Sequence, residues 1–531
     1  MNKRTFHLSS ALRIVALCAI VVVSSCTDLT EEIDSEVPAS EFYQTEEQFI
    51  SALGAAYTVL GDGGLGTHPS MLTVQEVSSD ELVIPQRGQD WFDGGVWLRL
   101  QQHTWKYDEP YFNNMWNFLY EGVNATNRLI FQFNKAVDAG TADPELAASF
   151  IAELKVLRAL YYYWLLDNFG NVPIVKSFAD APEHPSQPSQ NFAEGRQAVF
   201  DFVESSILAN IDKLSEDARG TYGRVNKWLA HFILAKLYLN AEVYTGESRW
   251  QDVVAQTNTI INSASYSLAS EYRASFITEN QGSPEIMFSV PYDRVFMTGF
   301  NMHLATLHYA NQITFQLQVQ PWNGYATLEA FYQSFEDEDI RKEANFIAGP
   351  QYAPSGERIK DFGAENNDPN GPPVTLTPEI NELQPGALRQ AGARVGKYEI
   401  APGTANDLDN DLVIFRYADV LLMKAEALWR QDNGSGQALQ LVNNIRKRAG
   451  LSPYNALSAD KILAERGHEF FFEGFRRQDL IRFEGKNGGQ TRFNDPWWKK
   501  EVSEPYRTVF PIPRDQLQSN NNLVQNPGYQ E

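Results

Sequence analysis

The chain has 531 residues, 43% of them hydrophobic and 12% aromatic, and a formal net charge of −23 from 44 Lys+Arg against 67 Asp+Glu. That length and hydrophobic share suit a folded chain with a sizeable core, built as several domains or as one large helical domain with insertions. The acidic balance argues against nucleic acid, whose phosphates call for a basic patch, and gives no help toward an anionic membrane surface.

Lys3 and Arg4 precede a short apolar run, Ile14 to Val23, which is too short to span a bilayer. Val23-Ser24-Ser25-Cys26 follows, small residues ahead of a cysteine, as in a bacterial lipobox. Residues 1–25 are therefore expected to be a lipoprotein signal peptide, and Cys26 the lipidated first residue of the mature chain. Its acyl chains would hold the protein on the membrane, at about 0.8 kcal/mol per buried methylene. Residues 26–40, with Asp28, Glu31, Glu32, Asp34 and Glu36, have the composition of a solvated acidic tether. Cys18 and Cys26 are the only cysteines, so the rest of the chain has no disulfide framework and no cysteine metal site.

Helical patterning starts near Glu41, where Phe42, Phe49, Ala52, Leu53, Ala56 and Tyr57 share a stripe that ends at Gly61 to Gly66. From Met71 to Lys106 the periodicity lapses. This predicts a long loop with Trp91, Trp97 and Trp105 among glycines, Arg87, Asp90 and Asp93, and long irregular stretches in a folded domain are usually functional. Helices are expected over Tyr111–Phe133, from Pro144 through Trp164, and over Glu194–Leu214, Trp228–Tyr244 and Trp250–Ser263, with a Pro-rich linker at 180–188. They make about three hairpins before residue 265.

Between residues 266 and 412 the character changes. Glu285 to Val290 has the make-up of a buried strand, and Pro321-Trp322-Asn323-Gly324-Tyr325 that of a turn ahead of a short helix through Phe331 and Phe335. The stretch from Gly349 to Gly396 is rich in Gly, Pro and Asn, so this region is expected to be a large irregular insertion with short strands. Beyond it, Ala418, Leu421, Leu422, Ala425, Leu428 and Trp429 line one helix face. After the break at Asp432 to Gly436, Ala438, Leu441, Val442, Ile445, Arg448 and Ala449 repeat the same offsets up to Gly450. Such a hairpin, in residues 413–483, is a repeat unit that must stack on neighbours to cover its apolar face. Arg476 and Arg477 beside Glu465, Glu469, Glu473 and Asp479 predict a structural ion-pair network. Tyr506 to Pro513 is expected to be extended.

The helix Arg416-Tyr417-Ala418-Asp419-Val420-Leu421-Leu422-Met423-Lys424-Ala425-Glu426-Ala427 resembles the signature helix of the SusD/RagB family. So do Glu465-Arg466, Phe472-Glu473-Gly474-Phe475-Arg476-Arg477, Phe510-Pro511-Ile512-Pro513 and Gln525-Asn526-Pro527-Gly528-Tyr529. The resemblance implies a mainly α fold of tetratricopeptide-like hairpins in a right-handed superhelical scaffold. It divides the chain into an N-terminal helical region with the ligand loop (41–265) and a C-terminal region (266–531). It implies an outer-membrane lipoprotein of Bacteroidetes type, without catalytic residues, that holds a glycan and passes it to a SusC-like TonB-dependent porin. The acidic run after Cys26 resembles the surface-export signal of such lipoproteins.

The residues themselves offer little for catalysis. No Gly-x-Ser-x-Gly elbow, P-loop or His-Glu-x-x-His is present, and His303 and His308 are five apart, the wrong step for one helix face. Asp407-Leu408-Asp409-Asn410-Asp411 opens like a calcium loop. Leu412 then stands where the loop needs Gly and Ala418 where it needs a bidentate Glu, which makes Asp411 an expected N-cap and leaves room only for a loosely held structural Ca2+. No other cofactor is expected. For glycan binding the candidates are Trp91, Trp97 and Trp322, whose flat rings supply apolar contact, with Arg87, Asp90, Asn323 and Tyr325 as polar partners that set specificity. Two other classes stay open: a surface glycoside hydrolase, and a peptide- or protein-binding helical-repeat lipoprotein.

Overall fold

The computed structural model describes residues 43–61, 63–363, 371–483 and 492–530. The signal peptide, Cys26 and the acidic tether lie outside the described residues. The long helices are α1 (Glu46–Gly61), α4 (Pro110–Asp138), α5 (Pro144–Phe169), α6 (Phe192–Leu208), α7 (Lys227–Leu239) and α9 (Trp250–Ser263) before the insertion, and α14 (Tyr417–Gln431), α15 (Gly436–Arg448) and α16 (Ala459–Phe470) after it. Most start where a short polar side chain takes up an orphan backbone N–H. Asp143 accepts from Leu146 (2.7 Å), Asn226 from Leu229 (2.9 Å) and Ser435 from Ala438 (3.2 Å).

Short links make antiparallel pairs of α4 with α5, α7 with α9, and α14 with α15, while α6 lies along α5 and α1 packs on α4 and α5. Helix α9 also packs on α14, so the stack of hairpins continues across the insertion. The α4–α5 contact is close because Gly122 faces Tyr161: a Cβ there would lie 2.1 Å from the phenol ring. Tyr161, Tyr162 and Tyr163 are all buried, as packing residues.

Three expectations need correction. The stretch 71–106 is not structureless. It holds α2 (Met71–Val77), strand β1 (Leu82–Val83) and α3 (Val96–Gln101). Every residue of α2 is buried, so the helix has no polar face and no stripe to show. The helix expected over 228–244 stops at Asn240, whose amide donates back to the Lys236 carbonyl (2.9 Å) and accepts from Arg482 (3.0 Å), and it restarts as α8 (Ala241–Thr245). Asp411 caps no helix. It precedes strand β8 (Leu412–Arg416), accepts the Tyr222 hydroxyl (2.5 Å) and takes the Asn280 amide oxygen on its own N–H (3.0 Å).

Within the insertion, β2 (Ile286–Val290) pairs antiparallel with β8, from Ile286↔Arg416 to Val290↔Leu412. Strand β3 (Ala326–Thr327) pairs with β1. Strands β4 (Phe346–Ile347), β5 (Gly349–Pro350), β6 (Thr375–Leu376) and β7 (Arg394–Val395) form two further short ladders, β4 with β7 and β5 with β6. Short helices α10 (Met302–Thr306), α11 (Asn311–Thr314), α12 (Glu329–Gln333) and α13 (Ile340–Asn345) fill the gaps, and α17 (Arg476–Arg482) and α18 (Arg514–Ser519) follow α16.

A buried ionic network joins insertion to scaffold. Arg416 meets Glu285 (2.6 Å), Glu469 (2.5 Å) and Glu473 (2.8 Å), and Arg341 meets Asp339 (2.8 Å), Glu465 (2.7 Å) and Glu469 (3.1 Å). Arg466 bridges Asp419 (2.8 Å) and Asp479 (2.7 Å). Each of these charges is matched, which buried ions require.

Candidate functional site

Three stretches distant in sequence meet at one edge of the insertion. The β1–β3 ladder, Leu82↔Thr327 and Val83↔Ala326, sets the loop after β1 against the 321–325 turn. Bridges Arg87↔Gly386 and Thr327↔Ala393 add the 386–393 segment. Arg87 clasps all three. Its guanidinium, 3% exposed, donates to the carbonyls of Asn323 (2.8 Å), Ala391 (3.0 Å) and Leu388. Burial lowers its pKa to about 10, which leaves it charged at neutral pH. Asn323 is fully buried at φ 59; its amide donates to the Arg389 carbonyl (2.9 Å) and accepts from Arg394 (2.9 Å).

An aromatic cluster stands on this frame. The Trp91 indole donates to the Trp322 carbonyl (2.7 Å) and its ring covers Gly324, where a Cβ would lie 2.4 Å from it. Trp91 adopts φ 66, a left-handed backbone that a bulky residue holds at a cost on the order of 1–3 kcal/mol and only where its surroundings over-determine it. The His68 ring is edge-on to Trp91 (centroids 5.1 Å) and lies 6.5 Å from Trp322. Its Nδ1 meets the Tyr325 hydroxyl at 2.5 Å, and that hydroxyl also bonds Thr73 Oγ1 at 2.7 Å. Burial drives the His68 pKa down to about 3 and pushes the Tyr325 hydroxyl up, so both are neutral over the physiological range. Trp97, 5% exposed, stacks on Tyr111 and donates to Asp93 (2.7 Å).

Few groups of this cluster reach solvent. Trp322 is 36% exposed, its neighbour across the turn Trp91 is half-buried, and Phe92 is 51% exposed. Asp90 is exposed and accepts the Tyr309 hydroxyl, and the Arg389 guanidinium lies 4.2 Å from the Tyr309 ring centre. Arg389 pairs with both oxygens of Asp361 (2.7 and 2.8 Å). Burial opposes ionisation of Asp361, but hydrogen bonds from His308 and Arg389 outweigh it and hold the carboxyl well below its usual range. Gly88, Asp90, Leu388, Arg389 and Gln390 border an open groove of about 460 Å³.

Of the residues selected from sequence, Trp91, Trp322 and Asp90 thus share one surface region. Arg87, Asn323, Tyr325 and Trp97 lie beneath it as supports. His68, Tyr309 and Arg389 escaped sequence reasoning. No motif surrounds them, and they enter only because tertiary contacts bring them in. The calcium-like run is spent on other contacts. Asp407 accepts the Gly299 N–H (3.0 Å), Asp409 pairs with Arg294 (2.6 Å) and Asp411 holds Tyr222. Among the described residues no group of three or more His, Cys, Asp or Glu gathers as a metal site.

A stack of helical hairpins that carries an aromatic surface patch on a braced insertion defines a helical-repeat binding protein. The chain belongs to the SusD family, whose model matches residues 237–529; a second model, described as starch-binding and associating with the outer membrane, matches residues 73–239. The starch-binding protein SusD of Bacteroides thetaiotaomicron is 25% identical, over 75% of this chain and 76% of its own length. The SusD-like protein P25 of Formosa agariphila is 24% identical over 97% of this chain and 99% of its own. Among solved structures, a SusD superfamily protein of Parabacteroides distasonis superposes with TM-score 0.71 at 21% identity, covering 91% of this chain and 99% of the other. Surface glycan-binding protein A of Bacteroides thetaiotaomicron, in complex with laminarihexaose, gives 0.69 at 22%, covering 91% and 100%. At such identities these structures establish the shared fold.

Proposed function

We propose that this chain is a non-catalytic receptor at the outer surface of the cell that binds an oligosaccharide or polysaccharide on the Trp91–Trp322 patch. It then delivers the glycan to a SusC-like TonB-dependent transporter, while lipid on Cys26 holds it to the outer membrane. One observation carries the reading: an exposed Trp322 ring on a turn whose backbone carbonyl holds the Trp91 indole, above a buried frame hydrogen-bonded by Arg87 and Asn323. The two rings present apolar faces, that of Trp91 pinned by its bond and its packing on Gly324, which suits the apolar face of a pyranose. Asp90, Arg389 and Gln390 border the neighbouring groove as hydrogen-bonding groups for hydroxyls. The starch- and glycan-binding relatives support the ligand class.

The test is affinity electrophoresis and calorimetry of the soluble chain starting at Thr27 against plant, host and microbial glycans, with Trp322→Ala and Trp91→Ala alongside. The expected result is binding to one glycan class without hydrolysis, weakened about 30-fold or more by Trp322→Ala, the scale of an interface hot spot of about 2 kcal/mol. Binding to none of the panel would overturn the glycan reading, and turnover abolished by a single carboxylate substitution would make the protein a hydrolase.

A further inference from the structure

We infer that the chain carries a second carbohydrate pocket, for a single pyranose unit, at Trp497 and Trp498. The cavity holds about 190 Å³, small beside a drug-sized site and suited to one ring. Phe331 and Leu328 are buried in its wall, and the two half-buried tryptophans complete its apolar side. The polar side is Asp80, whose oxygens take both Nε (2.6 Å) and NH2 (2.8 Å) of Arg476, while the third guanidinium nitrogen is fixed on the Leu463 carbonyl (2.9 Å). Asp80 remains 28% exposed, so its outer lone pairs stay open to sugar hydroxyls. A paired Arg–carboxylate beside aromatic rings is the same combination of groups that Arg389 and Asp361 bring to the border of the first patch.

The loop that carries these tryptophans is rigid. Lys500 lies 4.0 Å from the Trp497 ring centre and donates to the Asp495 carbonyl (2.7 Å). Gln101 and Gln102, at the end of the helix that carries Trp97, donate to the carbonyls of Trp498 (2.8 Å) and Lys499 (2.9 Å). The β1–β3 ladder separates the two sites, with Trp322 and Arg87 beyond one end and Leu328 and Asp80 beyond the other. Leu328 lies six positions after Trp322, so the backbones that carry the sites are at most about 20 Å apart at the rise of an extended chain. One polysaccharide spans that distance, so polymer binding gains an effective-concentration advantage that a short oligosaccharide lacks.

The inference rests on the glycan reading of the first patch, and the test separates the two. Ala330 is exposed at the pocket mouth, so Ala330→Trp plugs it from the surface, and Trp498→Ala removes a wall. The probes are laminarin and soluble starch in affinity gels, with their hexasaccharides in calorimetry. Thermal unfolding at the wild-type midpoint confirms that Ala330→Trp is folded. The expected result is two hexasaccharides per chain in the wild type and one in Ala330→Trp, with polymer affinity at least 10-fold lower in Ala330→Trp. Residual polymer retention in Trp322→Ala should vanish when either pocket substitution is added. A stoichiometry of one in the wild type, with polymer binding indifferent to Ala330→Trp, overturns the pocket and leaves the first site standing. Binding that survives Trp322→Ala in full and is lost in Ala330→Trp would keep the pocket and overturn the first site. No binding of any probe to the wild type overturns both.

Discussion

At the scale of single residues the site separates into a thin contact surface and a deep support. Trp322 meets solvent with a ring whose loss would leave no buried group unpaired. Arg87 is buried and holds three carbonyls from two other segments. The two substitutions should therefore behave differently. Arg87→Met keeps the apolar stem but leaves the Asn323 carbonyl without a donor, while the Leu388 and Ala391 carbonyls keep the Ala391 N–H (3.0 Å) and Arg394 (2.7 Å), and a buried polar group left unpaired costs about 1–3 kcal/mol. The expected outcome is a fall in unfolding free energy of about 1–3 kcal/mol together with weakened glycan binding, because the 322–324 turn loses its clasp. Chemical denaturation beside binding titration reads both. An Arg87→Met chain of wild-type stability would show that the guanidinium does not bind the turn together.

At the scale of elements, contacts between helices rest on a few small residues. Gly122 on α4 sits against the fully buried Tyr161 on α5. Gly122→Val forces the pair apart and is expected to cost about 1–3 kcal/mol, as overpacking does. Tyr161→Phe is expected to be neutral or slightly stabilising, since its hydroxyl is buried without a partner. Urea unfolding of both variants checks the pair, and an unaffected Gly122→Val would deny the close approach.

The same scale explains what the sequence discloses. Helices α4, α9 and α15 each keep a polar face toward solvent, so their apolar residues recur at helical spacing, and Ser435 marks the start of α15. Helix α14 is buried from Tyr417 to Ala427 and is legible only because its Ala and Leu positions keep the helical step. Helix α2 and strand β8 are buried on every side, and their residues form no pattern that names a period. The Trp322 turn stands out through its composition. Its partner Trp91 stands out only as a tryptophan in an irregular loop, and nothing local announces His68, because its role is made by residues up to 257 positions away. Arg87, Asn323 and Tyr325 are legible as polar groups near tryptophans. Only packing decides that they support the surface from below.

At the scale of the whole molecule, buried carboxyls divide into two groups with opposite dependence on pH. Burial opposes ionisation of Glu469 and Asp479, but the surrounding arginines outweigh it and hold both well below the usual range. Their contribution is present above the unfolded carboxyl pKa and is lost only as pH falls through their depressed values, in strong acid. Glu76 and Glu81 lie on the other side of the balance. Glu76 accepts the Gly474 N–H (2.7 Å) and Glu81 the Phe472 N–H (3.3 Å), and each keeps a second oxygen buried without a partner. Burial raises Glu76 to about 7, and burial together with the Glu76 charge raises Glu81 well above its usual value. The folded chain therefore holds protons that the unfolded chain releases above a pKa of about 4.3. This contribution is complete below that value and disappears as pH climbs through about 7. Buried neutral histidines such as His68 and His303 change stability in the opposite sense as pH rises through the unfolded imidazole value, so the carboxyl share is read as the difference between wild type and a variant that lacks it. Glu76→Gln keeps an oxygen for Gly474 and supplies an amide N–H toward Glu81, so no proton has to be retained at that position. Thermal unfolding of both chains from pH 5 to pH 8 should show the Glu76→Gln midpoint rising relative to wild type with pH and exceeding it at pH 8. An identical pH dependence in the two chains would mean that the pair takes no proton on folding, and that the turn at Phe472–Gly474 is held by its packing alone.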